Sequence, residues 1–357
     1  MKLTKHFTTI LSLLLGVFIC TACSDDDPLP EITLFHDRIE VPSEGATNVE
    51  MKYTLYNPVE GIEPKMDCTA EWITDLKAAN GIITFNVAAS KEAEPREAEV
   101  VVSYTGALLP TSFFVTQAEG DPNLTFTVGD LSFKMIYIQA GTFTMGADAK
   151  EPGSNSWEKP SHKVTLTKDY YMGEYEVTQA LWQEIMGNNP SMFKDPELKA
   201  PVDGVNYQEA QDFLAKLSAK TGQKFVLPTE AQWEFAARGG LQTKGYKFCG
   251  SNTVDDVAWY DGNAGFKTHA AGSKLPNELG IYDMSGNVME WCSDWYGDYS
   301  ADDQTDPVGP ESNPQNYRVS RGGGLISIIG DVRIPFRAGS EAKSHMFFQG
   351  FRLAMVK

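Results

Sequence analysis

Residues 131–357 contain only three segments with the signals of a helix, which limits the folds that this stretch can adopt. The segments start with the N-terminal caps Thr178 in "EVTQALWQEIMGNNP", Asn206 in "NYQEAQDFLAKLSAKTG" and Thr229 in "PTEAQWEFAARGG". Glu209, three residues after Asn206, completes the pattern of a capping box. The rest of the stretch is turn-rich and irregular, and such a body is usually held by ions, disulfides or dense aromatic packing. We therefore expect a domain with little regular secondary structure.

The residues before this stretch follow a β pattern. From residue 31 to about residue 119, short segments such as "GIITFNVAAS" and "EAEVVVSYTG" alternate or run apolar, with Gly, Pro and Asn between them. No segment there has a convincing helical period. The sequence thus predicts an α+β chain. Its parts are an N-terminal immunoglobulin-like β-sandwich over 31–119, a linker with an entry strand over 120–130, and a second domain over 131–357.

The first 30 residues have the pattern of a leader and a tether. Lys2 and Lys5 precede the apolar run "FTTILSLLLGVFI", which is too short to span a bilayer. The small residues before Cys23 resemble a bacterial lipoprotein signal, in which residues 1–22 are removed and the Cys23 thiol is lipidated. The acidic run within residues 23–30 resembles the surface-export tether of Bacteroidetes lipoproteins. We expect a surface-exposed outer-membrane lipoprotein held on the membrane by lipid chains; the alternative is an ordinary secretory peptide cut nearby.

Composition and cysteine usage narrow the classes of partner. The formal net charge is −18, and 42% of the residues are hydrophobic, which is globular usage with an acidic surface. Such a surface repels phosphate backbones, so we expect no nucleic-acid partner. Cys20 leaves with the leader and Cys23 carries lipid, which leaves Cys68, Cys249 and Cys292 and at least one free thiol. A Cys249–Cys292 disulfide is an alternative outside the cytoplasm, but the sequence spacing of the two cysteines gives no argument for it.

Seven motifs stand in order along residues 131–357. They are "MIYIQAGTFTMGAD", "EKPSHKVTLTKDYYMGEYEVTQALWQEIMGNNPS", "APVDGVNYQEAQDF", "FVLPTEAQWEFAARGG", "PNELGIYDMSGNVMEWCSDWYG", "RVSRGGG" and "GFRLA". The series resembles the formylglycine-generating enzyme family, also called sulfatase-modifying factor domains, and it covers essentially the whole stretch. The resemblance implies the family's variant of the C-type-lectin-like fold. It also implies an active site in which two cysteines bind copper, activate oxygen and oxidise a client cysteine to formylglycine.

The active-site segment departs from the family's pattern. Counted from the Gly-Gly turn, the positions of the family's two cysteines are occupied by Ser327 and Val332 in this chain. No cysteine follows Cys292. Cu(I) requires soft thiolates, whereas a hydroxyl is a poor ligand and valine has no donor atom. Gly324 and Met289 replace a serine and a tryptophan that the family places nearby. We therefore expect no copper, no catalytic cysteine and no formylglycine synthesis.

The motif "PNELGIYDMSGNVMEW" predicts a structural calcium site. The resemblance implies side-chain ligands at Asp283 and Glu290 and main-chain carbonyl ligands at Gly286 and Val288. Two carboxylates and two carbonyls make the all-oxygen shell that Ca²⁺ prefers. The alternative is that both acids only hydrogen-bond the turn.

Residues in the cysteine-free segment form a candidate ligand site. Ser327, Arg333 and Arg337 could contact a carboxylate or sulfate ligand, although the two arginines could instead pair with the acidic scaffold. Apolar side chains stand where polar residues and cysteines would be expected. They mark an interaction surface if exposed and fill the former cleft if buried. These side chains are Leu325, Ile326, Ile328, Ile329, Met346, Phe347 and Phe348.

Within residues 31–119, "AEWITDL", "ITFNVAAS", "PREAEVVVS" and "FVTQAEG" resemble the BACON domain of Bacteroidetes surface proteins. That family was proposed to bind carbohydrate, but no aromatic platform is evident here. Trp72 is therefore assigned to the core rather than to sugar stacking, and the domain is interpreted as a spacer or glycan-contacting module.

The sequence as a whole predicts a surface lipoprotein that binds or scaffolds without catalysis, with a glycan or an envelope protein as its partner. The alternative is an oxidoreductase of the same family with altered, iron-dependent chemistry. Iron would need histidine ligands, and the second domain offers only His162, His269 and His345, which have no metal-ligand spacing.

Overall fold

The computed structural model describes residues 28–92 and 94–356 and divides into two compact units that meet between Asp121 and Pro122. The leader and the predicted lipidation residue Cys23 lie outside the described residues, so cleavage and lipid attachment stay predictions. None of the helices in the described ranges is long and apolar enough to span a membrane.

The first unit consists of two four-stranded sheets around one hydrophobic core. The strands are β1 Glu31–Leu34, β2 Arg38–Val41, β3 Ala46–Tyr56, β4 Lys65–Asp67, β5 Ile73–Ala79, β6 Ile82–Val87, β7 Arg96–Ser103 and β8 Thr111–Gln117. The sheet orders are β1-β3-β6-β5 and β2-β8-β7-β4. Between the sheets the ring centroids of Phe85 and Phe113 lie 5.8 Å apart. The unit is thus a two-layer β structure, and its immunoglobulin-like and BACON-like assignments stay predictions.

Trp72 lies against this core, as its assignment required. The indole is half-buried and packs on the core cluster, and the Arg96 guanidinium lies 4.6 Å from its ring centroid. Arg96 is fixed in turn by a 2.9 Å hydrogen bond from its Nε to Gln117 Oε1. A covered ring of this kind offers no open platform for a sugar.

The second unit is β-rich with few helices. Its strands are β9 Leu124–Val128, β10 Leu131–Ile138, β11 Gly141–Met145, β12 His162–Leu166, β13 Tyr170–Glu176, β14 Ala258–Trp259, β15 Ser285–Gly286, β16 Met289–Trp295, β17 Gln304–Thr305, β18 Tyr317–Arg321, β19 Arg337–Glu341, β20 Gln349–Gly350 and β21 Arg352–Val356. They form four-stranded sheets ordered β21-β13-β10-β9 and β19-β18-β16-β20, a three-stranded sheet β11-β12-β17 and the pair β14-β15.

Strand β9 lies inside residues 120–130, where the sequence predicts a linker with an entry strand. It pairs antiparallel with β10, with Leu131 opposite Val128. The second compact unit begins at Pro122, so it includes this strand.

The three predicted helices are present with their predicted caps. They are α1 Gln179–Met186, α2 Tyr207–Thr221 and α3 Glu230–Ala237, followed by one short turn, α4 Val254–Val257. The Thr178 hydroxyl accepts a hydrogen bond from the backbone N–H of Leu181. Asn206 and Thr229 each form a full capping box. Because a cap is satisfied within one turn, the local sequence is sufficient to place it.

Buried ion pairs, rather than disulfides, tie the irregular segments together. Arg321, Arg333, Arg337 and Arg352 are all nearly inaccessible to solvent, and each pairs with at least one glutamate. The Cys68, Cys249 and Cys292 thiols are free, so the Cys249–Cys292 disulfide left open above is not formed.

Candidate functional site

A double-glycine turn directs the chain into the segment where the family's cysteines would lie. Strand β18 ends at Arg321, and Gly322 and Gly323 both have positive φ, 87° and 66°. A Cβ on Gly323 would lie 2.4 Å from the Asp331 carbonyl oxygen, so no side chain fits there. The segment then runs through Ser327 into a short 3₁₀ turn at Ile329–Val332.

Ser327 closes a tight turn in this segment. Its hydroxyl accepts a hydrogen bond from the Gly324 N–H at 3.0 Å, and its own N–H donates to the Gly324 carbonyl at 2.8 Å. Its carbonyl oxygen accepts from the Asp261 N–H at 3.0 Å. The half-buried hydroxyl therefore has a structural partner already.

Val332 is part of the hydrophobic core. The side chain is fully buried and belongs to a cluster with Phe248, Val254, Val257 and Ala258. The position at which the resemblance predicts a second cysteine is thus filled by packed hydrocarbon, and Leu325 is equally buried.

The remaining apolar residues of the segment point outward. Ile326, Ile328 and Ile329 are exposed, Ile328 by 63%, and we call residues 326–329 the isoleucine loop. Both alternatives left open by the sequence therefore apply to different residues. Leu325 is buried and fills the interior, whereas the isoleucine loop is exposed.

A group of aromatic rings is also attached to residues 287–289. The phenylalanine cluster consists of Phe193, Phe266, Phe347 and Phe348, with centroid separations of 5.2 to 5.9 Å, and Phe266 is exposed. Leu325, at the start of the isoleucine loop, donates its N–H to the Asn287 carbonyl. The Met289 N–H donates to the carbonyl of Phe348. The loop and the cluster are therefore anchored to the same short segment.

Arg333 and Arg337 do not form the predicted ligand clamp. The Arg333 guanidinium is buried and donates to Glu158 and Glu151, each at 2.8 Å. Arg337 makes two 2.7 Å bonds to Glu230, and its guanidinium carbon lies 4.0 Å from the Tyr299 ring centroid. Both cations are neutralised inside the protein, which favours the alternative that the two arginines pair with the acidic scaffold.

The predicted calcium ligands divide into two environments. Asp283 is buried, its Oδ2 accepts from the Gly272 N–H at 2.7 Å, and its Oδ1 has no hydrogen-bond partner among the described residues. Burial raises the pKa of Asp283 to about 6. An unpartnered buried carboxylate oxygen fits a cation ligand.

Glu290 is occupied differently. Arg352 donates to both of its oxygens, at 2.6 and 2.7 Å, and Trp233 Nε1 donates at 2.7 Å. Its carboxylate therefore already neutralises a buried guanidinium. Across residues 28–92 and 94–356, no three His, Cys, Asp or Glu side chains are grouped to hold a metal. Calcium held by Asp283, Gly286, Val288 and Glu290 stays a prediction, and Asp283 is the member that fits it best.

Glu176 was missed by sequence reasoning. It ends β13 and is fully buried beside the turn, where its carboxylate accepts from Asn287 Nδ2 at 2.8 Å and from the Val288 N–H at 3.1 Å. Burial, reinforced by the charges of Asp283 and Glu290, raises its pKa well above the ordinary value. Its position at the end of a largely buried strand was the only local signal that the Glu176 side chain is buried.

The histidines and thiols do not assemble a second redox centre. His162 packs on the Tyr299 ring, His269 stacks on Trp259, and the exposed His345 lies 3.0 Å from Glu209. Burial raises the pKa of the thiols of Cys249 and Cys292, which favours their protonated form. The described residues thus hold neither a histidine triad nor a pair of accessible thiolates.

The β-rich unit has three capped helices and a double-glycine turn, and these features place it in the class of sulfatase-modifying factor-like domains. Residues 128–357 match the family described as the sulfatase-modifying factor enzyme 1-like domain, and the chain belongs to this family.

Relatives in this family carry different names. The chaperone protein LppX of Paenibacillus barcinonensis is 33% identical over 277 residues, which are 64% of this chain and 91% of that protein. The formylglycine-generating enzyme of Mus musculus is 26% identical over 354 residues, 76% of this chain and 92% of the enzyme. Among solved structures, Treponema denticola variable protein 1 superimposes with a TM-score of 0.60 at 34% identity, covering 66% of this chain and 99% of that one.

Proposed function

We propose that this chain is a surface-anchored lipoprotein whose family domain binds or scaffolds a partner without catalysing an oxidation. The observation that carries the proposal is the burial of Val332 in the core at the position of the second family cysteine. Ser327, at the position of the first, presents a hydroxyl that is bonded within its own turn. Copper-dependent oxygen activation needs two accessible thiolates at these positions, and neither residue supplies one.

The family's names are compatible with this proposal. A relative called a chaperone and a structure called a variable protein stand beside the formylglycine-generating enzymes, so membership alone does not fix a reaction. The residues of the site support a binding role.

The isoleucine loop and the phenylalanine cluster form the proposed binding face. Exposed apolar side chains gathered on one region of a soluble unit are typical of protein interaction sites. A glycan would instead require an open aromatic ring with polar groups beside it. We therefore place an envelope protein ahead of a glycan as the partner of this face.

The remaining parts of the proposal concern anchoring and stability. Lipid on Cys23 would hold the chain on the outer membrane, and the first unit would act as a spacer. Calcium would stabilise the turn that contains Asp283 and Glu290, where it would neutralise the buried Asp283 carboxylate.

A metal-binding experiment tests the proposed loss of the copper centre. The purified chain is titrated with Cu(I) under reducing conditions beside a formylglycine-generating enzyme as the positive control. We expect no stoichiometric copper and no oxygen consumption with a thiol substrate. One tightly held copper per chain, with oxygen uptake, would contradict the proposal. Iron at one equivalent with oxygen uptake would instead support altered oxidase chemistry.

A further inference from the structure

One end of the first unit carries an unusual concentration of exposed apolar side chains. We call this surface the leucine end. Leu108 and Leu109 are 80% and 78% exposed, at the tip of the loop between β7 and β8. The other members are Leu29, Tyr56, Val59 and Ile62, all of them exposed. Phe35 is the one other exposed large hydrophobic residue in the described part of this unit.

Hydrogen bonds and strand register place the members of the leucine end together. Glu31 at the start of β1 lies opposite Tyr56 at the end of β3, and Asn57 Nδ2 donates to the Leu29 carbonyl at 3.4 Å. The Tyr104 hydroxyl accepts from the Val59 N–H at 2.8 Å and lies 3.2 Å from its carbonyl. Residues 29–31, residues 56–59 and Tyr104 therefore meet at one end of the two-layer structure.

The loop tip also meets the incoming chain. A Cβ on Gly106 would lie 3.2 Å from Pro30 Cγ, so the loop that carries Leu108 and Leu109 packs against the first described residues. Phe35 is displaced from this end, since it follows β1 and bonds the Lys52 carbonyl further along β3.

The leucine end is also the end at which the chain arrives from Cys23. Leu29 follows Cys23 by six positions, a length of chain that spans at most about 20 Å when fully extended. The chain leaves the unit at the opposite end, because β8 runs from Thr111, beside the leucine loop, to Gln117. A lipid on Cys23 would therefore keep the leucine end, and not the far end, beside the membrane.

The charges at this end favour an apolar contact. The loop "TGALLP", residues 105–110, contains no charged residue. The exposed charges near this end are Glu31, Glu60 and Glu63, which anionic lipids would repel, and Lys65, which lies opposite Ser103 at the end of β7, so acidic groups outnumber the cation. Binding by this surface would thus depend on insertion of leucine side chains into the headgroup and acyl boundary rather than on attraction to negative lipids.

We propose that the leucine end docks on the lipid bilayer, with Leu108 and Leu109 inserted at the interface. This inference deepens the proposed function and rests on its lipid anchor, because the anchor would bring this end to the bilayer, where the two leucines insert by their own affinity for the interface. A second copy of this chain and an envelope protein are the competing occupants.

The test uses the mature chain, residues 23–357, with Cys23→Ser so that no lipid is attached. Flotation with phosphatidylcholine vesicles is measured over a lipid titration for the parent and for Leu108→Ser/Leu109→Ser. We expect the double substitution to weaken partitioning by at least about tenfold, since two exposed leucines supply most of the insertion. Added salt should leave the parent's flotation unchanged. Phe35→Ser, which removes a side chain of 62% exposure away from this end, should float as the parent does.

The outcomes separate this inference from the anchor. Failure of the parent to float, or equal flotation of the double variant, overturns the docking surface. A dimer that the double substitution abolishes, without flotation, assigns the surface to self-association instead. Lipid on Cys23 is read independently, from the mass of the full-length chain expressed with its leader. Matching thermal midpoints of parent and variants confirm that all are folded.

Discussion

Val332→Ala tests whether position 332, where the resemblance predicts a cysteine, is part of the core. The substitution removes two methyl groups from a side chain with no solvent exposure. At about 0.8 kcal/mol for each buried methyl-sized group, plus a contribution from the cavity, we expect a loss of about 2 kcal/mol in the free energy of unfolding. Ile328→Ala is the matched control, because that side chain is 63% exposed and lies four residues away. Its change should stay within about 0.5 kcal/mol.

Urea unfolding followed by tryptophan fluorescence provides the assay. Six of the seven tryptophans lie in the second unit, so the signal reports on the unit that contains Val332. A shift of the midpoint for Val332→Ala without a change in slope would indicate lost stability. If Val332→Ala proved as stable as the parent, the side chain would line an open cleft, and our reason for excluding a reactive residue there would be wrong.

Three further predictions concern the carboxylates around the site. Glu290→Gln should lower the free energy of unfolding in urea by about 3–5 kcal/mol, because it leaves the Arg352 charge buried without its counter-charge; the exposed control Glu197→Gln should change nothing measurable, and an unaffected Glu290→Gln would argue against the ion pair. Burial raises the pKa of Asp294 to about 7, so the folded state binds that proton more tightly than the unfolded state. The resulting contribution to the free energy of unfolding is present below about pH 4 and is lost as pH rises to about 7. Asp294→Asn should therefore flatten the dependence of the free energy of unfolding on pH, and an unchanged dependence would refute the assignment. Added calcium should raise the thermal midpoint of the parent but not of Asp283→Ala, and no rise in the parent would rule out a stabilising calcium ion.

Local patterns predicted the features whose partners are close in sequence. Asn206 and Glu209 are three residues apart, so the capping box could be identified directly and is confirmed. The double-glycine turn was likewise recognisable, since glycine adopts a positive φ without steric cost. The family of the second unit followed from the order of such motifs and is confirmed by the match over residues 128–357.

Features that depend on distant partners were not predictable from local sequence. Arg333 pairs with Glu158, 175 positions earlier in the chain, and no local pattern indicates that a buried glutamate lies beside it. Glu290 was assigned to calcium from the family resemblance, and its bond to Arg352, 62 positions later, has no local signal. An entry strand was predicted within residues 120–130, whereas its pairing with β10 was not.

The direct test of the loss of cysteine oxidation is a turnover measurement. The purified chain is incubated under air with copper, a reductant and a cysteine-containing peptide derived from a sulfatase, and the peptide is followed by mass spectrometry. An enzyme of the formylglycine-generating type serves as the positive control. Because Ser327 and Val332 supply no thiolate pair, we predict that the peptide keeps its cysteine. Time-dependent appearance of the peptide aldehyde, dependent on this chain, would contradict the proposed function.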